Sequence, residues 1–259
     1  MFKTDNYKNK TVVITGGTKG IGLGITKAYL SLSANVIILA RNKPKKQIQV
    51  KGNKALFYQC NVRDNPNVEE VINEVFKANK CIDVLINNAG GAPLINSLDA
   101  SMNFNNAIID LNLNSSFTVS YYVAKKMIKK SSGCVITNIS SVTATRPTPG
   151  SAAYGAAKGG LVNLTKTLAV EWAPRIRVNS IITGYIETEN SLVHYGSKKD
   201  MKAVAKTIPM KRMGTPEDIA NACIFLSSAN SSWITGTAIE VHGGGESPTY
   251  LNSAKPKKS

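Results

Sequence analysis

The sequence predicts an α/β fold, a single doubly wound domain in which a parallel seven-stranded sheet is flanked by helices. Short β-branched apolar runs alternate with helix-length segments along the chain, which is the pattern of a parallel sheet with crossover helices. The runs are continuous rather than alternating, as expected for strands buried on both faces. With 259 residues, 42% of them apolar, the chain is long enough for one large domain.

Seven runs are predicted strands, in chain order 11–15, 35–40, 55–60, 83–87, 134–139, 177–182 and 237–242. Helices are predicted between them, at 20–32, 66–79, 103–130, 152–172 and 216–228. Pro44 and Gly52 leave little room for a full helix between the second and third strands. Residues 185–210 are predicted to be an inserted loop with some helix, before a helix that Thr215 caps and Pro216 begins.

The formal net charge of +16 is spread along the chain, with dense clusters only at 41–46 and 255–258. No aromatic residues interleave with either cluster, as a stacking platform for single-stranded nucleic acid would require. We therefore predict no nucleic-acid partner, and instead an attraction to acidic small molecules or an acidic protein. The domain is predicted to cover 1–249, followed by a basic, disordered tail over 250–259.

Location and metal content are predicted from what the sequence lacks. No run reaches the roughly 18 apolar residues of a membrane span, and the first ten residues lack the apolar core of a signal peptide. The four cysteines are scattered, and His194 and His242 have no neighbours at metal-ligand spacing. We predict a cytoplasmic protein with free thiols, no membrane contact and no metal site.

A glycine-rich loop lies between the first predicted strand and the first predicted helix. Gly16, Gly20 and Gly22 allow a tight turn there, in which backbone N–H groups can approach a pyrophosphate at the helix N-terminus. The alternative is a glycine-rich turn without a ligand, which the strand–loop–helix context disfavours. The loop therefore predicts a dinucleotide site.

The end of the second strand indicates which nicotinamide cofactor binds. An acidic residue there would bind the ribose 2′-hydroxyl of NAD, whereas this chain has Arg41. Together with Lys19 in the glycine loop, Arg41 suits the 2′-phosphate of NADP. Lys43, Lys45 and Lys46 would strengthen the local field, unless all of these are solvated surface charges. We predict NADP(H).

Eight stretches together resemble the short-chain dehydrogenase/reductase family over roughly residues 8–245. The resemblance implies a Rossmann-like domain, a nicotinamide cofactor and hydride transfer to or from a carbonyl or alcohol carbon. Within the family, the layout is similar to that of 3-oxoacyl-[acyl-carrier-protein] reductases. The stretches are TGGTKGIG (15–22), NNAG (87–90), LNLNSSF (111–117), NISS (138–141), YGAAK (154–158), RVNSI (177–181), RMGTPEDIA (212–220) and ITG (234–236).

Position by position, the resemblance assigns the catalytic residues Asn112, Ser141, Tyr154 and Lys158. The thirteen-residue separation from Tyr154 selects Ser141 over Ser140, which is assigned to packing. The resemblance and the glycine loop together imply the cofactor contacts Gly16, Thr18, Lys19, Gly20, Ile21, Gly22, Arg41, Asn61, Val62, Asn88, Ala89, Gly90, Tyr154, Lys158, Gly184, Ile186 and Thr188.

Three positions depart from the family pattern. Asn61 replaces the usual acid that faces the adenine amine, and its amide oxygen can still accept that hydrogen bond. Thr183 replaces a proline before Gly184 and is expected to loosen the turn under the nicotinamide. His242 replaces the usual aspartate before the terminal glycines, and nothing in the sequence explains that change.

The four assigned side chains suit ketone reduction, which needs an acid for the developing alkoxide. Lys158 lies one helical turn after Tyr154, where an ammonium is expected to lower the pKa of the phenol below its usual value of about 10. Ser141 can donate to the substrate oxygen, and the family implies that Asn112 orients a water. Individually, such residues are ordinarily packed tyrosines, solvated lysines and strand-end caps.

Together with NADP preference, the resemblance implies a reductase, with a 3-oxoacyl thioester on an acidic acyl carrier protein as the leading substrate class. Lys129, Lys130 and Arg175 are candidates for the carrier patch, and Arg146 and His194 are candidates for substrate contact. A sugar, steroid or xenobiotic alcohol remains an alternative substrate, and a protein that binds NADP as a signal without turnover remains an alternative function.

The resemblance implies a homotetramer that pairs helices 103–130 and 152–172. The HGGGE stretch (242–246) lacks the accompanying nucleophile elbow of a hydrolase.

Overall fold

The computed structural model describes residues 7–129 and 133–246, so the domain end at 249, the tail and Lys130 lie outside it. Its strands are β1 Thr11–Thr15, β2 Asn35–Ala40, β3 Gln49–Val50, β4 Asn53–Lys54, β5 Leu56–Gln59, β6 Val84–Asn87, β7 Cys134–Ser141, β8 Ile176–Thr183 and β9 Ala238–Val241. Its helices are α1 Gly20–Ser31, α2 Asn65–Asn79, α3 Met102–Ile109, α4 Ser115–Met127, α5 Ala152–Trp172, α6 Ser191–Tyr195, α7 Lys198–Thr207 and α8 Pro216–Ser227.

Seven of the strands form one parallel sheet, in the order β5-β2-β1-β6-β7-β8-β9. The predicted α/β class and the seven-stranded parallel sheet are therefore confirmed. The chain runs from β1 outward to β2 and β5, and then returns to the other side of β1 with β6. This reversal opens a crevice at the carboxyl ends of β1 and β6, the place where doubly wound folds bind ligands.

Alternate residues of the central strands pack into two apolar cores, one on each face of the sheet. Val13 of β1 packs with residues of α2, α4 and α5. Val12 and Ile14 point to the other face, toward residues of α1 and α8. Both side-chain sets are almost fully buried, which explains why the sequence shows continuous rather than alternating apolar runs.

The predicted helix over 103–130 is interrupted. Asp110–Asn114 form a π-helical turn between α3 and α4, a local widening of the helix that sequence periodicity does not reveal. The segment after β2 forms the short antiparallel hairpin β3–β4 instead of a helix, as its proline and glycine indicate. In β7, the strand extends beyond the predicted end and finishes at Ser141.

The start of α8 is fixed as predicted. Thr215 and Asp218 form a reciprocal capping box, and Pro216 occupies the first turn. Gly24 lies against Pro216 so closely that a Cβ at Gly24 would collide with the proline ring and its carbonyl. This contact lets α1 and α8 approach each other on one face of the sheet. Within residues 7–129 and 133–246, none of the helices combines the length and apolarity that a bilayer crossing requires.

Candidate active site

At the crevice between β1 and β6, hydrogen bonds join the loop that follows β6 to the end of β1 and the glycine loop. The side-chain amide of Asn88 donates to the carbonyl oxygens of Thr15 and Gly16, at 3.0 and 3.3 Å. The backbone N–H groups of Asn88 and Ala89 both donate to Thr15 Oγ1, at 3.0 and 2.9 Å. The glycine loop and the loop after β6 are therefore one braced unit.

The glycines of the first loop have the geometry that a phosphate cradle needs. Gly16 and Gly20 have φ values of +67° and +50°, which residues other than glycine rarely adopt. A Cβ at Gly22 would collide with the carbonyl of Gly16 and the amide of Asn88. The loop therefore presents bare backbone to the crevice, and the predicted dinucleotide fits its conformation.

The N-terminus of α1 already binds an anion supplied by the chain itself. Its N-cap residue, Lys19, makes no side-chain cap, and its first turn holds no acidic residue. Instead, the backbone N–H of Gly20 donates to both carboxylate oxygens of Glu189, at 2.9 and 3.1 Å. This helix end thus accepts negative charge, as a cofactor phosphate would require.

The basic side chains predicted to select NADP are exposed at the same edge. Arg41 follows the last residue of β2, and Lys19 precedes α1. Neither side chain makes an ion pair or hydrogen bond to any residue that the structure describes. The Asn61 amide oxygen accepts the Arg63 N–H at 3.3 Å, which leaves its second lone pair for another donor.

The remaining predicted cofactor contacts lie in the loops after β1, β5, β6 and β8 or in the first turn of α1. They are Thr18, Ile21, Val62, Ala89, Gly90, Gly184, Ile186 and Thr188. The expectation that Thr183 loosens the turn before Gly184 is wrong. The Thr183 hydroxyl donates to the carbonyl of Ser140 at 2.9 Å, and the Gly184 N–H donates to Val241 at 3.1 Å, so both groups tie the turn down.

Ser141 and Tyr154 are brought together by a close approach of α5 to the turn after β7. A Cβ at Gly155 would lie 3.1 Å from the carbonyl oxygen of Thr143, so the small residue permits this approach. Tyr154, in the first turn of α5, then lies close enough to the Ser141 side chain at the strand end for the two groups to interact. Ser140 instead donates to the Lys158 carbonyl at 3.1 Å and is buried, which confirms its packing role.

Lys158 is buried one turn further along α5, with 3% of its surface exposed. Its ammonium donates to the carbonyl of Ile139 in β7 at 2.8 Å and lies 5.7 Å from the centre of the Tyr154 ring. A Cβ at Gly90 would lie 3.2 Å from Lys158 Nζ and 2.7 Å from Asn112 Oδ1. Lys158 and Asn112 therefore flank Gly90 in the loop after β6.

Asn112 holds that loop through all the polar atoms of its side chain. Its amide nitrogen donates to the carbonyls of Gly91 and Ile108, at 3.0 and 2.9 Å. Its oxygen accepts the Gly91 N–H at 2.8 Å. The Ile108 carbonyl is the one that an uninterrupted α-helix would pair with the Asn112 backbone, so the side chain compensates for the π turn.

The pKa of Tyr154 differs from the expectation. Burial raises the pKa of the phenol above its usual value, and only the interaction with the Ser141 side chain opposes this. The lowering expected from Lys158 is wrong for this structure, since the ammonium is directed at the Ile139 carbonyl. Burial also lowers the pKa of Lys158 itself, to about 8.

This lowered pKa predicts how stability changes with pH. Between about 8 and 10.5 the unfolded chain holds a proton on Lys158 that the folded protein has released. Folding stability therefore rises with pH across that window. Relative to Lys158→Met, the wild type should gain about 3 kcal/mol in free energy of unfolding, measured by urea unfolding at both ends of the window. A constant difference between the two proteins would contradict the buried, proton-losing lysine.

A second tyrosine–lysine pair has the same spacing but a different environment. Tyr121 and Lys125 lie one turn apart on α4, with the phenol oxygen 3.1 Å from the ammonium. Tyr121 is 45% exposed, and its hydroxyl contacts the Lys125 ammonium rather than a serine. Burial beside a strand end, rather than spacing, distinguishes the pair of Tyr154 and Lys158.

The other predicted candidates are dispersed. The guanidinium of Arg146 contacts the Tyr185 hydroxyl and Glu246, both at 3.0 Å. His194 is exposed on α6, and the imidazole of His242 contacts Glu240 at 2.7 Å.

Arg175 donates to the Ile128 carbonyl at 2.8 Å, which places it beside Lys129. In the described part of the chain the cysteines are free, and no cluster of His, Cys, Asp and Glu could hold a metal.

Sequence reasoning missed three residues near the site. Glu189 was not singled out, although a helix start without a cap or an acidic residue could have signalled that an anion comes from elsewhere. Tyr185 and Tyr195 meet edge to edge, with ring centres 5.8 Å apart, and Tyr195 is close enough to influence Tyr154 electrostatically. These rings lie in the inserted segment, whose sequence shows no regular pattern.

A small cleft lies beside Tyr154. Its walls come from the loop after β6, from α3 and from the start of α5, and they are largely apolar. The lining includes Pro93, Ile95, Phe104, Ile108 and Ala153.

The chain matches known proteins along most of its length. A family model described as enoyl-(acyl carrier protein) reductase matches residues 16–246. The 3-oxoacyl-[acyl-carrier-protein] reductase FabG of Chlamydia pneumoniae is 36% identical over 91% of this chain and 96% of its own length. A probable 2,4-dienoyl-CoA reductase of Bacillus subtilis is 35% identical over 92% and 96%. The aldohexose dehydrogenase AldT of Thermoplasma acidophilum, in ligand-free form, superposes with a TM-score of 0.86 at 31% identity, covering 98% of each chain.

Proposed function

Because this chain belongs to the short-chain dehydrogenase/reductase family of nicotinamide-dependent oxidoreductases, we propose that it is an NADP(H)-dependent reductase of a 3-oxoacyl thioester or a related ketone. The observation that carries the proposal is the close approach of Ser141 and Tyr154 beside the buried Lys158. This arrangement lies at the carboxyl end of β7, on the sheet edge that also carries the glycine loop.

The cofactor would be held by the glycine loop and the loops after β5, β6 and β8. The N-terminus of α1 would take a phosphate, and Arg41 with Lys19 would take the 2′-phosphate that distinguishes NADP. When bound, the cofactor supplies the hydride that reduces the carbonyl carbon. The absence of a carboxylate at the end of β2 supports NADP over NAD.

Tyr154 would give its proton to the substrate oxygen as negative charge develops there. The raised pKa of its phenol keeps it protonated, in the form that a general acid needs. Ser141 would donate to the same oxygen and hold it in place. Lys158, with its pKa lowered to about 8, can exchange a proton near neutral pH and so return one toward the phenol. Asn112 would fix the loop carrying Gly90 and Gly91 against the lysine.

The substrate class is inferred from the cleft and from the relatives. The apolar walls provided by Pro93, Ile95 and Phe104 suit a hydrocarbon chain better than a sugar. Two of the relatives named above are reductases whose names specify an acyl carrier protein or coenzyme A substrate. Lys129 and Arg175, side by side on the surface, would attract an acidic carrier.

A screen tests this function against the main alternative, a protein that binds NADP without turnover. Loss of NADPH absorbance is followed with acetoacetyl thioesters of coenzyme A and of acyl carrier protein, and with sugar, steroid and simple ketone carbonyls. Consumption with the thioesters is the expected result. Tight NADPH binding without NADPH consumption on any carbonyl would favour the alternative. Turnover on a sugar alone would refute the proposal that the substrate is a thioester.

The exposed apolar side chains of the long helices support a homotetramer. Phe117 and Tyr121 on α4 are 46% and 45% exposed, and Val170 on α5 is 81% exposed. Pairing of these helices between copies would bury such side chains. A solution mass of four chains, from light scattering, is the expected result.

A further inference from the structure

Glu189 contacts the glycine loop from a distant part of the chain. Both of its carboxylate oxygens accept the N–H of Gly20, the first residue of α1, at 2.9 and 3.1 Å. The two residues are 169 positions apart. The same helix end has no cap of its own, because Lys19 makes no side-chain cap and the first turn holds no acid.

The segment that carries Glu189 is braced independently of this contact. The Thr188 N–H donates to Ser191 Oγ at 2.7 Å, and the Asn190 N–H donates to Thr188 Oγ1 at 3.4 Å. Ser191 is buried, with 2% of its surface exposed. Glu189 itself is exposed, so its side chain can leave Gly20 by rotation while the backbone of the segment stays in place.

We propose that Glu189 is a resident competitor for the phosphate end of the cofactor site and thereby sets cofactor affinity. A carboxylate and a phosphate are both anions that need the same backbone donors and the same helix end. A dinucleotide phosphate that seats on the Gly20 N–H displaces the carboxylate and also lies close to its negative charge. The inference rests on the proposed function, since it assumes that this loop binds NADP(H).

The experiment compares Glu189→Ala with Glu187→Ala in the full chain. Glu187 is a matched control, because it is exposed, lies two residues away and carries the same charge, while its side chain makes no contact with Gly20. NADPH affinity is measured by the fluorescence of the bound cofactor. Glu189→Ala is expected to bind NADPH about 3- to 10-fold more tightly than the wild type. Glu187→Ala is expected to match the wild type.

A second readout does not involve the cofactor. Glu189 is the only partner of the Gly20 N–H among the residues that the structure describes. Its loss should lower the melting temperature of free Glu189→Ala by about 2–4 °C, whereas Glu187→Ala should be unchanged. Unchanged or weaker NADPH binding by Glu189→Ala would overturn the inference and leave the proposed function intact. Equal tightening by both variants would also overturn it, since bulk charge would then be the cause. No NADPH binding by any of the three proteins would overturn the proposed function and this inference together.

Discussion

Replacement of Tyr154 by phenylalanine is expected to lower kcat by about 10²–10⁴-fold while NADPH binding is retained. The substitution removes the phenol hydroxyl, which is the only group of this side chain that can give a proton to a substrate oxygen. It keeps the ring that packs at the start of α5, so the fold should persist. Steady-state turnover on the thioester substrate and NADPH fluorescence titration measure the two effects separately.

Tyr121→Phe is the matched control for this result. It removes a phenol hydroxyl from a tyrosine–lysine pair of the same helical spacing, 3.1 Å from the ammonium of Lys125. Its kcat should equal that of the wild type, because the exposed pair on α4 has no strand-end serine beside it. Near-normal turnover of Tyr154→Phe, or an equal loss in both variants, would contradict the assignment of Tyr154 as the acid.

Replacement of Arg41 by aspartate is expected to weaken NADPH binding by about 10- to 100-fold and to reduce the preference for NADPH over NADH. Arg41 is exposed beyond the end of β2 and has no partner among the described residues, so its guanidinium group is available to bind a phosphate. Aspartate reverses the charge and offers the acceptor that suits a ribose 2′-hydroxyl. Dissociation constants for both cofactors measure the change.

A charge control separates a direct contact from a general field. Lys202→Asp makes the same change in net charge on the exposed face of α7, and it should leave the ratio of the two dissociation constants unaltered. If Arg41→Asp leaves NADPH affinity unchanged, or if the wild type binds NADH as tightly as NADPH, the predicted cofactor preference is wrong.

The fold was predictable because local patterns determine most of it. Continuous apolar runs placed all seven strands of the sheet, and Thr215 with Pro216 marked the start of α8. The glycine loop was found from spacing and context, and its conformation agrees with the prediction through the positive φ values of Gly16 and Gly20. In each of these cases, the residue type is favoured by one local requirement: burial in a strand, the start of a helix, or a positive φ.

The sequence could not reveal features that depend on distant contacts. The π turn around Asn112 is compensated by a side-chain bond to Ile108 and by the loop at Gly91, which no helical periodicity encodes. The contact of Glu189 with Gly20 joins two loops far apart in the chain. Both are properties of the assembled carboxyl edge of the sheet.

Electrostatics at the site was the least predictable property. The spacing of Tyr154 and Lys158 predicted a lowered phenol pKa, but the folded environment buries Lys158, partly buries Tyr154 and raises the pKa of the phenol instead. The pair Tyr121–Lys125 has the same spacing and remains exposed. Desolvation outweighs a neighbouring charge when that charge is itself directed at a backbone carbonyl.

Deuterium transfer tests the central claim most directly. The protein is incubated with NADPH deuterated at the transferable position and with acetoacetyl thioesters, and the products are examined by mass spectrometry. The account predicts a 3-hydroxyacyl thioester that carries the deuterium at the reduced carbon, formed by the wild type and nearly abolished in Tyr154→Phe. Bound deuterated NADPH with no labelled alcohol formed from the acetoacetyl thioesters would contradict the account.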